Sequence, residues 1–278
     1  MIGAPPAVSP ENVEAFARDG VVHLPGALDG RAIALVEAAF DWKLANPGPG
    51  AASLYGESGA RFFQAKGESS HAPAFAALLA DRPIGDIVAA LFGGGPVWYL
   101  EEQLFLKEGG PGDTRARRTP WHQDVSYEPM SGERSAVVWI PLDPVPRDCA
   151  LEVVRGSHRG PIYGASRFDP ADDTAPFAGH EALPRLPDIE EARGAFDIVG
   201  WACAPGDLLI FHGTALHGGG GTRPGGRRRS LTLRFVGDDA VKIALAGAAG
   251  GPPDHANPFA ALPVGAPVSE ACRMRVRG

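Results

Sequence analysis

The residues of this sequence best suited to chemistry are Trp121-His122-Gln123-Asp124, where an imidazole and a carboxylate stand two positions apart. The segment is predicted to be extended, and side chains two positions apart on a strand point to the same face. His122 and Asp124 are therefore placed to bind one metal ion together. A His-x-Asp pair is a weak signal by itself, because a solvated surface strand carries one by chance.

A second histidine strengthens the metal hypothesis. His217 stands much later in the chain and is followed by four glycines. Two imidazoles and one carboxylate form the facial triad of non-haem Fe(II) oxygenases, which leaves coordination positions open for substrates. The same donors also suit Mn(II) and Zn(II), so ligand types alone leave the metal open. His212 is the rival third ligand, but strand alternation turns it to the opposite face, which favours a packed or supporting histidine.

Arginines follow the last candidate ligand, in the run Arg227-Arg228-Arg229 just before a predicted strand, Ser230–Val236. A guanidinium at this point can hold the distal carboxylate of a dicarboxylic acid in a bidentate pair, while the other end of that acid chelates the metal. Because neighbours on a strand alternate faces, the run is not expected to point inward as a whole. The remaining arginines are interpreted as a solvated basic turn.

The composition limits the classes of protein to which the chain can belong. The chain has 278 residues, 44% hydrophobic and 21% charged, which is typical of a globular protein. A formal net charge of -7 argues against general nucleic-acid binding. Three cysteines without metal-binding spacing indicate reduced thiols and a cytoplasmic location, and no apolar run is long enough for a membrane span. The expected partner is a small-molecule substrate, and the oligomeric state is not predicted.

The first part of the chain, residues 1–95, is predicted to be mostly helical, with one strand at Val21–Leu24. Ser9-Pro10-Glu11 is typical of a helix start and Gly20 of a helix end. Three more helices are expected, and residues 51–70 are interpreted as a loop carrying Phe62, Phe63 and Gln64. The later predicted helices are 31–44, 73–80 and 84–92.

From residue 96 to 237 the pattern predicts about eight short strands separated by glycine and proline turns, as in a sandwich or barrel. A jelly roll places strands that are distant in sequence side by side, which is what bringing residues 122–124 next to 217 requires. We therefore expect a mainly β protein, a double-stranded β-helix with N-terminal helices packed on one sheet. The prediction is a single domain, 1–278, with a variable insert at 160–195 and a C-terminal tail at 238–278.

Several motifs in order resemble the phytanoyl-CoA dioxygenase (PhyH) family of Fe(II)/2-oxoglutarate oxygenases. The resemblance extends from about residue 10 to 237 and includes the start at Phe16. The motifs that carry it are Trp121-His122-Gln123-Asp124, Trp139-Ile140-Pro141-Leu142-Asp143, Leu151-Glu152-Val153-Val154-Arg155-Gly156-Ser157-His158, Pro205-Gly206-Asp207-Leu208-Leu209-Ile210-Phe211-His212 and Leu216-His217-Gly218.

The resemblance implies a double-stranded β-helix whose iron is held by His122, Asp124 and His217. It implies that Arg228 binds the 5-carboxylate of 2-oxoglutarate and that Trp139 packs on this cosubstrate. By position on the preceding strand, Gln103 and Lys107 are further candidates for contact with cosubstrate or substrate. The implied reaction consumes O2 and 2-oxoglutarate, releases succinate and CO2, and hydroxylates an aliphatic C–H of a small molecule.

The sequence departs from the family pattern at three positions. Asp148-Cys149-Ala150 stands where Asn-Gly is common, Arg155 replaces a proline, and Gly219 replaces a serine or threonine that would bind the cosubstrate. Asp124 is retained, which argues against the halogenase variant, where a small residue takes this position. Substrate specificity is expected in the loops around the barrel mouth, including Tyr127, Phe177 and the arginines Arg115, Arg117, Arg118 and Arg155.

Three alternatives remain open at this point. The same iron site can end in desaturation, cyclisation or epimerisation instead of hydroxylation. A non-catalytic β-barrel binding protein is another class, which an intact triad and Arg228 argue against. A zinc hydrolase of similar shape is the third, and it would leave Arg228 without a role.

Overall fold

The computed structural model describes residues 8–54, 59–112, 116–169, 171–245 and 261–278. Helix α1 begins after an N-cap serine, Ser9, whose side chain accepts from Asn12 N, and it ends at Gly20 in the left-handed conformation. Both boundaries match the sequence signals. The helices are α1 (Pro10–Asp19), α2 (Gly30–Ala45), α3 (Pro73–Ala80) and α4 (Arg82–Leu91), with short 3-10 turns at Asp124–Ser126, Arg147–Cys149, Ser157–Arg159, Arg193–Ala195 and Val268–Ala271.

The strands are short except for two that cross the middle of the larger sheet. They are β1 (Val21–Leu24), β2 (Gly50–Ser53), β3 (Arg61–Gly67), β4 (Val97–Glu108), β5 (Thr119–His122), β6 (Met130–Ser131), β7 (Ser135–Pro141), β8 (Leu151–Val154), β9 (Ile198–Gly200), β10 (Leu208–Phe211), β11 (His217–Gly219), β12 (Arg227–Val236), β13 (Val241–Lys242) and β14 (Met274–Arg277).

Two antiparallel sheets form the body of the protein. The large sheet has the order β1-β10-β7-β12-β4-β3-β2, with β14 also paired to β4. The small sheet has the order β5-β11-β8-β9, and β13 pairs with β6. Each sheet joins strands that are far apart in sequence, which is the arrangement the double-stranded β-helix prediction required. The mainly β fold class is confirmed.

The large sheet divides its side chains between two layers. One face packs against all four helices, and Val138, Ile140, Leu231 and Leu233 share a buried core there with Phe40. The opposite face turns toward the small sheet, where Trp139 and Phe211 pack with Val153. This alternation places the even-numbered residues Arg228, Thr232 and Arg234 of β12 on the inner face, opposite the apolar residues that hold the helices.

One prediction about these elements was wrong, and one strand was not predicted. Residues 51–70 are not a loop, because β2 and β3 extend the large sheet beyond β4, with Gln64 opposite Phe105. The period-2 pattern was hidden because the inward residues Gln64 and Lys66 are polar and line a cavity instead of a core. The tail also contributes a strand, β14, which pairs with the N-terminal half of β4.

Among the described residues, no helix combines the length and the apolar character that crossing a bilayer requires.

Candidate active site

His122, Asp124 and His217 converge between the two sheets. His122 ends β5 and lies directly opposite His217, which begins β11. The Asp124 Oδ1 atom lies 3.6 Å from His122 Nε2 and 3.7 Å from His217 Nε2. All three residues are buried, and their ligand atoms form one group of metal-binding geometry. The structure therefore brings together the three residues that the sequence suggested as ligands.

The path of the chain between His122 and Asp124 differs from the prediction. The strand ends at His122, and Asp124 opens a 3-10 turn, so the two side chains meet around a turn instead of along a strand face. Gln123 holds this turn, since its Nε2 donates to Thr214 O at 2.8 Å and its Oε1 accepts from Tyr163 N at 2.9 Å. The turn thus aims the carboxylate at the imidazoles.

The protonation states suit a divalent metal. The Nδ1 atoms of His122 and His217 lie 2.8 Å from Pro120 O and 3.0 Å from Ala215 O, which fixes the proton on Nδ1 and turns each Nε2 lone pair inward. Burial lowers the pKa of His122 to about 3 and lowers the pKa of His217 as well. Burial alone raises the pKa of Asp124, but attraction to Arg234 and the imidazoles outweighs it and lowers that pKa. Neutral imidazoles and an ionised carboxylate are the forms that bind metal.

The inner face of β12 supplies a cation to the same cavity. Arg228 is 6% exposed and lines the cavity together with the triad. Its Nη1 donates to Cys149 O at 2.8 Å, whereas its buried Nε has no hydrogen-bond partner. Burial lowers the pKa of Arg228 to about 10. Unpaired buried donors are costly, so an acceptor-rich ligand fits here.

Gly220 leaves room for this guanidinium. The residue has φ +62°, and a Cβ built on it would stand 1.7 Å from Arg228 Nη1. A side chain at this position would displace the arginine from its place against Cys149 O. The run of glycines after His217 is therefore explained at this position by close approach of a side chain.

The remaining candidates divide between the cavity and its surroundings. Trp139 and Gln103 line the cavity, and the Arg228 guanidinium carbon lies 6.0 Å from the Trp139 ring centroid. Lys107 does not line it, because its Nζ donates to Arg117 O, Thr119 Oγ1 and Gly220 O and so holds the surrounding loops together.

The other basic residues suggested by the sequence lie away from the cavity where the structure describes them. His212 is outside it, with Nδ1 accepting from Thr214 N at 3.2 Å. Arg227 and Arg229 both bind Asp143 instead of facing inward, in agreement with strand alternation. Arg118 pairs with Glu152 and Glu190, Arg155 pairs with Asp197, and Arg117 is absent from the cavity wall, while Arg115 is outside the described residues.

A buried ionic cluster beside the triad was missed by sequence reasoning. Arg234 Nε donates to Asp124 Oδ2 at 2.9 Å, and its Nη2 donates to Gln103 Oε1 at 2.9 Å. Lys66 Nζ lies 3.0 Å from Glu101 Oε1 and also contacts Glu128. Burial, together with the nearby Glu128 carboxylate, raises the pKa of Glu101 well above its usual value, whereas attraction to Lys66 and Arg234 outweighs burial and lowers the pKa of Glu128. The signal for Arg234 was present, because it stands six residues after Arg228 on the same strand face.

Aromatic side chains close the cavity on the side of His122. The Phe168 ring lies 5.5 Å from the His122 ring and 6.0 Å from the Tyr127 ring, both measured between centroids. Phe168 has φ 54°, a left-handed conformation that an L side chain rarely adopts. Such strain is concentrated at functional sites. Tyr127 lines the cavity as expected, whereas Phe177 packs behind it and does not.

The family comparison agrees with this geometry. The family model for phytanoyl-CoA dioxygenase (PhyH) matches residues 16–230, which include the triad and Arg228. The chain belongs to the phytanoyl-CoA dioxygenase family. A probable phytanoyl-CoA dioxygenase from Caenorhabditis elegans is 26% identical over 128 residues, which is 45% of this chain and 38% of that protein. The match thus spans well under half the length of this relative.

Solved structures of similar fold include several enzymes with bound iron or 2-oxoglutarate. The carbocyclase SnoK of nogalamycin biosynthesis is 19% identical with a TM-score of 0.68, covering 95% of this chain and 96% of that one. The epimerase SnoN, solved with Fe3+ and alpha ketoglutarate, is 20% identical with a TM-score of 0.64, covering 93% and 96%. EctD from S. alaskensis, solved with 2-oxoglutarate and 5-hydroxyectoine, is 22% identical with a TM-score of 0.62, covering 100% and 90%. The PhyH chain described here shares their fold.

Proposed function

We propose that the protein is an Fe(II)- and 2-oxoglutarate-dependent dioxygenase that hydroxylates an aliphatic C–H bond of a small molecule. The observation that carries this proposal is the placement of the triad and the unpaired Arg228 Nε in one cavity. His122, Asp124 and His217 would hold the iron, and Arg228 would hold the distal carboxylate of 2-oxoglutarate. Family membership supports the assignment.

Iron bound here supplies the activation of O2 that couples decarboxylation of 2-oxoglutarate to oxidation of a second substrate. The chain's own residues position the reactants and exclude water. Trp139 forms an apolar wall beside Arg228, and Phe168 packs against the His122 ring. An aliphatic carbon requires no acid or base from the protein for this reaction, so we assign none.

The substrate is expected on the part of the cavity lined by Leu54, Phe105, Tyr127, Phe168 and Glu128. Glu128 is 2% exposed, and its Oε2 has no hydrogen-bond partner. A substrate with an apolar body and a hydrogen-bond donor would satisfy this wall. We also propose a reducing cytoplasmic location, since Cys149, Cys203 and Cys272 are all free thiols.

An anaerobic titration tests the proposed cosubstrate. Fe(II) and 2-oxoglutarate added together should give the weak visible charge-transfer band of an iron chelate, and 2-oxoglutarate alone should give none. Under air, a panel of small molecules should stimulate succinate formation. Absence of the band, together with no succinate for any compound, would reject the oxygenase and favour the binding-protein alternative.

Analysis of the product distinguishes hydroxylation from the other reactions that the same iron site could catalyse. Epimerisation and ring closure occur in proteins of this fold, as SnoN and SnoK show by their names. Incorporation of one atom from labelled O2 into the product supports hydroxylation. A product without labelled oxygen supports desaturation, cyclisation or epimerisation.

A further inference from the structure

A second group of metal-binding side chains lies outside the active-site cavity. His23 of β1, Cys203 of the loop after β9 and Asp207 before β10 place one ligand atom each within 4.8 Å of one another. None of the three lines the cavity that holds the triad. The group therefore requires an explanation separate from the proposed dioxygenase reaction.

The distances within this group fit a small divalent ion. His23 Nε2 lies 3.8 Å from Cys203 Sγ and 3.5 Å from Asp207 Oδ2. In a tetrahedral zinc site, neighbouring ligand atoms are separated by about 3.3 to 3.6 Å, as zinc–ligand bond lengths require. The two distances from His23 Nε2 thus lie within a few tenths of an ångström of that spacing, and the ligand atoms of Cys203 and Asp207 lie within 4.8 Å of each other.

The surrounding backbone holds the ligands in place. Asp207 is fixed by two amides, because Oδ1 accepts from Gly26 N at 2.8 Å and Oδ2 accepts from Ala204 N at 2.9 Å. Cys203 exchanges two backbone hydrogen bonds with Val145, at 2.8 and 2.9 Å. The His23 ring stacks on Trp201 with centroids 5.6 Å apart. Such fixed orientation lowers the cost of assembling a metal site.

We propose that His23, Cys203 and Asp207 bind a thiophilic divalent metal ion, with zinc as the preferred ion. Binding transfers the Cys203 thiol proton to solvent and forms a metal–sulfur bond, with no change in oxidation state. The side chains of His23 and Asp207 are 14% and 13% exposed, which leaves access for the ion and for a water as fourth ligand. A thiolate favours zinc, whereas the sulfur-free triad suits Fe(II).

A metal at this position would link β1, the terminal strand of the large sheet, to the segment that precedes β10. β1 pairs with β10 and forms the terminal strand of the sheet order. His23 lies in the middle of β1, while Asp207 immediately precedes β10. The bound ion cross-links these segments in the native state only, so it stabilises the fold by mass action.

Titration with Co(II) tests the proposal on the full-length protein. A cysteine ligand gives an intense sulfur-to-cobalt charge-transfer band in the near ultraviolet, and the triad has no sulfur with which to produce one. The wild type should show this band, and Zn(II) should abolish it by competition. The matched controls Cys149→Ser and Cys272→Ser should retain it, because neither cysteine belongs to the group.

Two variants of the group decide the outcome. Cys203→Ser should lose the band, and His23→Gln should weaken cobalt binding by at least about tenfold, since removing a ligand costs more than disturbing its support. A band that is absent from the wild type, persists in Cys203→Ser or keeps its affinity in His23→Gln overturns the proposal. The charge-transfer band of iron and 2-oxoglutarate at the triad reports folding in each variant. Loss of the cobalt–sulfur band alone is therefore distinguished from failure of the proposed dioxygenase site.

Discussion

Arg234 donates through Nε to Asp124 Oδ2 at 2.9 Å, while the other oxygen of Asp124 faces the two imidazoles. The guanidinium also donates to Gln103 Oε1, so it is fixed from two sides. One carboxylate oxygen is thereby held by the protein and one is left for a metal. The carboxylate thus presents a single oxygen to the site in a fixed orientation, which is how partners of metal ligands tune a site.

Arg234→Lys should weaken metal binding by about ten- to a hundredfold, the usual effect of losing the partner of a metal ligand. Lysine keeps the positive charge but cannot donate simultaneously to Asp124 and Gln103 in the same fixed geometry. Mn(II), which the same donors bind, allows anaerobic measurement of the dissociation constant by electron paramagnetic resonance.

Arg229→Lys is the matched control for this experiment. Arg229 stands on the same strand but binds Asp143 on the outside of the barrel. Its variant should bind Mn(II) like the wild type. Equal weakening in both variants would show that loss of an arginine on β12 acts through the sheet and not through Asp124.

Arg228→Gln should weaken 2-oxoglutarate binding by about ten- to a hundredfold, which corresponds to one charge-assisted hydrogen bond. Metal affinity should be unchanged, since Arg228 makes its hydrogen bond to Cys149 O and not to a ligand of the triad. Titration of the iron charge-transfer band with 2-oxoglutarate measures the effect. Arg227→Gln, at an outward position bound to Asp143, should leave both affinities as they are. A larger loss in Arg227→Gln would place the cosubstrate contact at the neighbouring residue.

Elements with complete local signals were predicted accurately from the sequence. Helix α1 carries both its caps, and β1 is bounded by turn residues, so their predicted and observed limits coincide. β3 was missed because its inner face is polar and its pairing to β4 is set by the sheet. β14 was missed for a related reason, since its strand conformation depends on pairing with β4 and local propensity does not reveal a distant partner.

The candidate metal ligands of the site could be predicted from the sequence because they stand in recognisable motifs. The sequence indicated His122, Asp124 and His217, but the geometry that joins the first two is a turn and not a strand. The cluster of Lys66, Glu101 and Glu128 was not predicted, because Lys66 and Glu101 lie on separate strands and Glu128 lies in the turn before β6, and their pairing is revealed only when the fold is assembled. The left-handed backbone conformation of a single residue such as Phe168 cannot be predicted from its residue type either.

At most positions an alanine variant is more stable than a glycine variant, and at Phe168 we expect the reverse. The residue holds φ 54°, which costs an L side chain about 1 to 2 kcal/mol and glycine almost nothing. Both Phe168→Ala and Phe168→Gly lose the ring contacts with His122 and Tyr127, so this loss cancels in the comparison. Urea unfolding should therefore find Phe168→Gly about 1 kcal/mol more stable than Phe168→Ala. An alanine variant as stable as the glycine variant would mean that the backbone is not strained at this position.

His212 should make the protein less stable in acid. Burial lowers its pKa from 6.5 to about 4, and the unprotonated Nδ1 accepts from Thr214 N. Between these values the unfolded chain binds more protons than the folded one, so the stability contribution is present above pH 6.5 and is lost as the pH falls toward 4. His212→Gln should reduce the slope of unfolding free energy against pH by up to about 1.4 kcal/mol per pH unit in this range.

This measurement requires EDTA, because metal binding links His122 and His217 to pH as well. Their lowered pKa values add to acid sensitivity in the same direction in wild type and variant, so the difference in slope isolates His212. His71→Gln, at an exposed position, controls for the substitution itself. Identical slopes in wild type and His212→Gln would mean that His212 takes up protons equally in the folded and the unfolded chain, and the neutral, buried state inferred for this histidine would then be wrong.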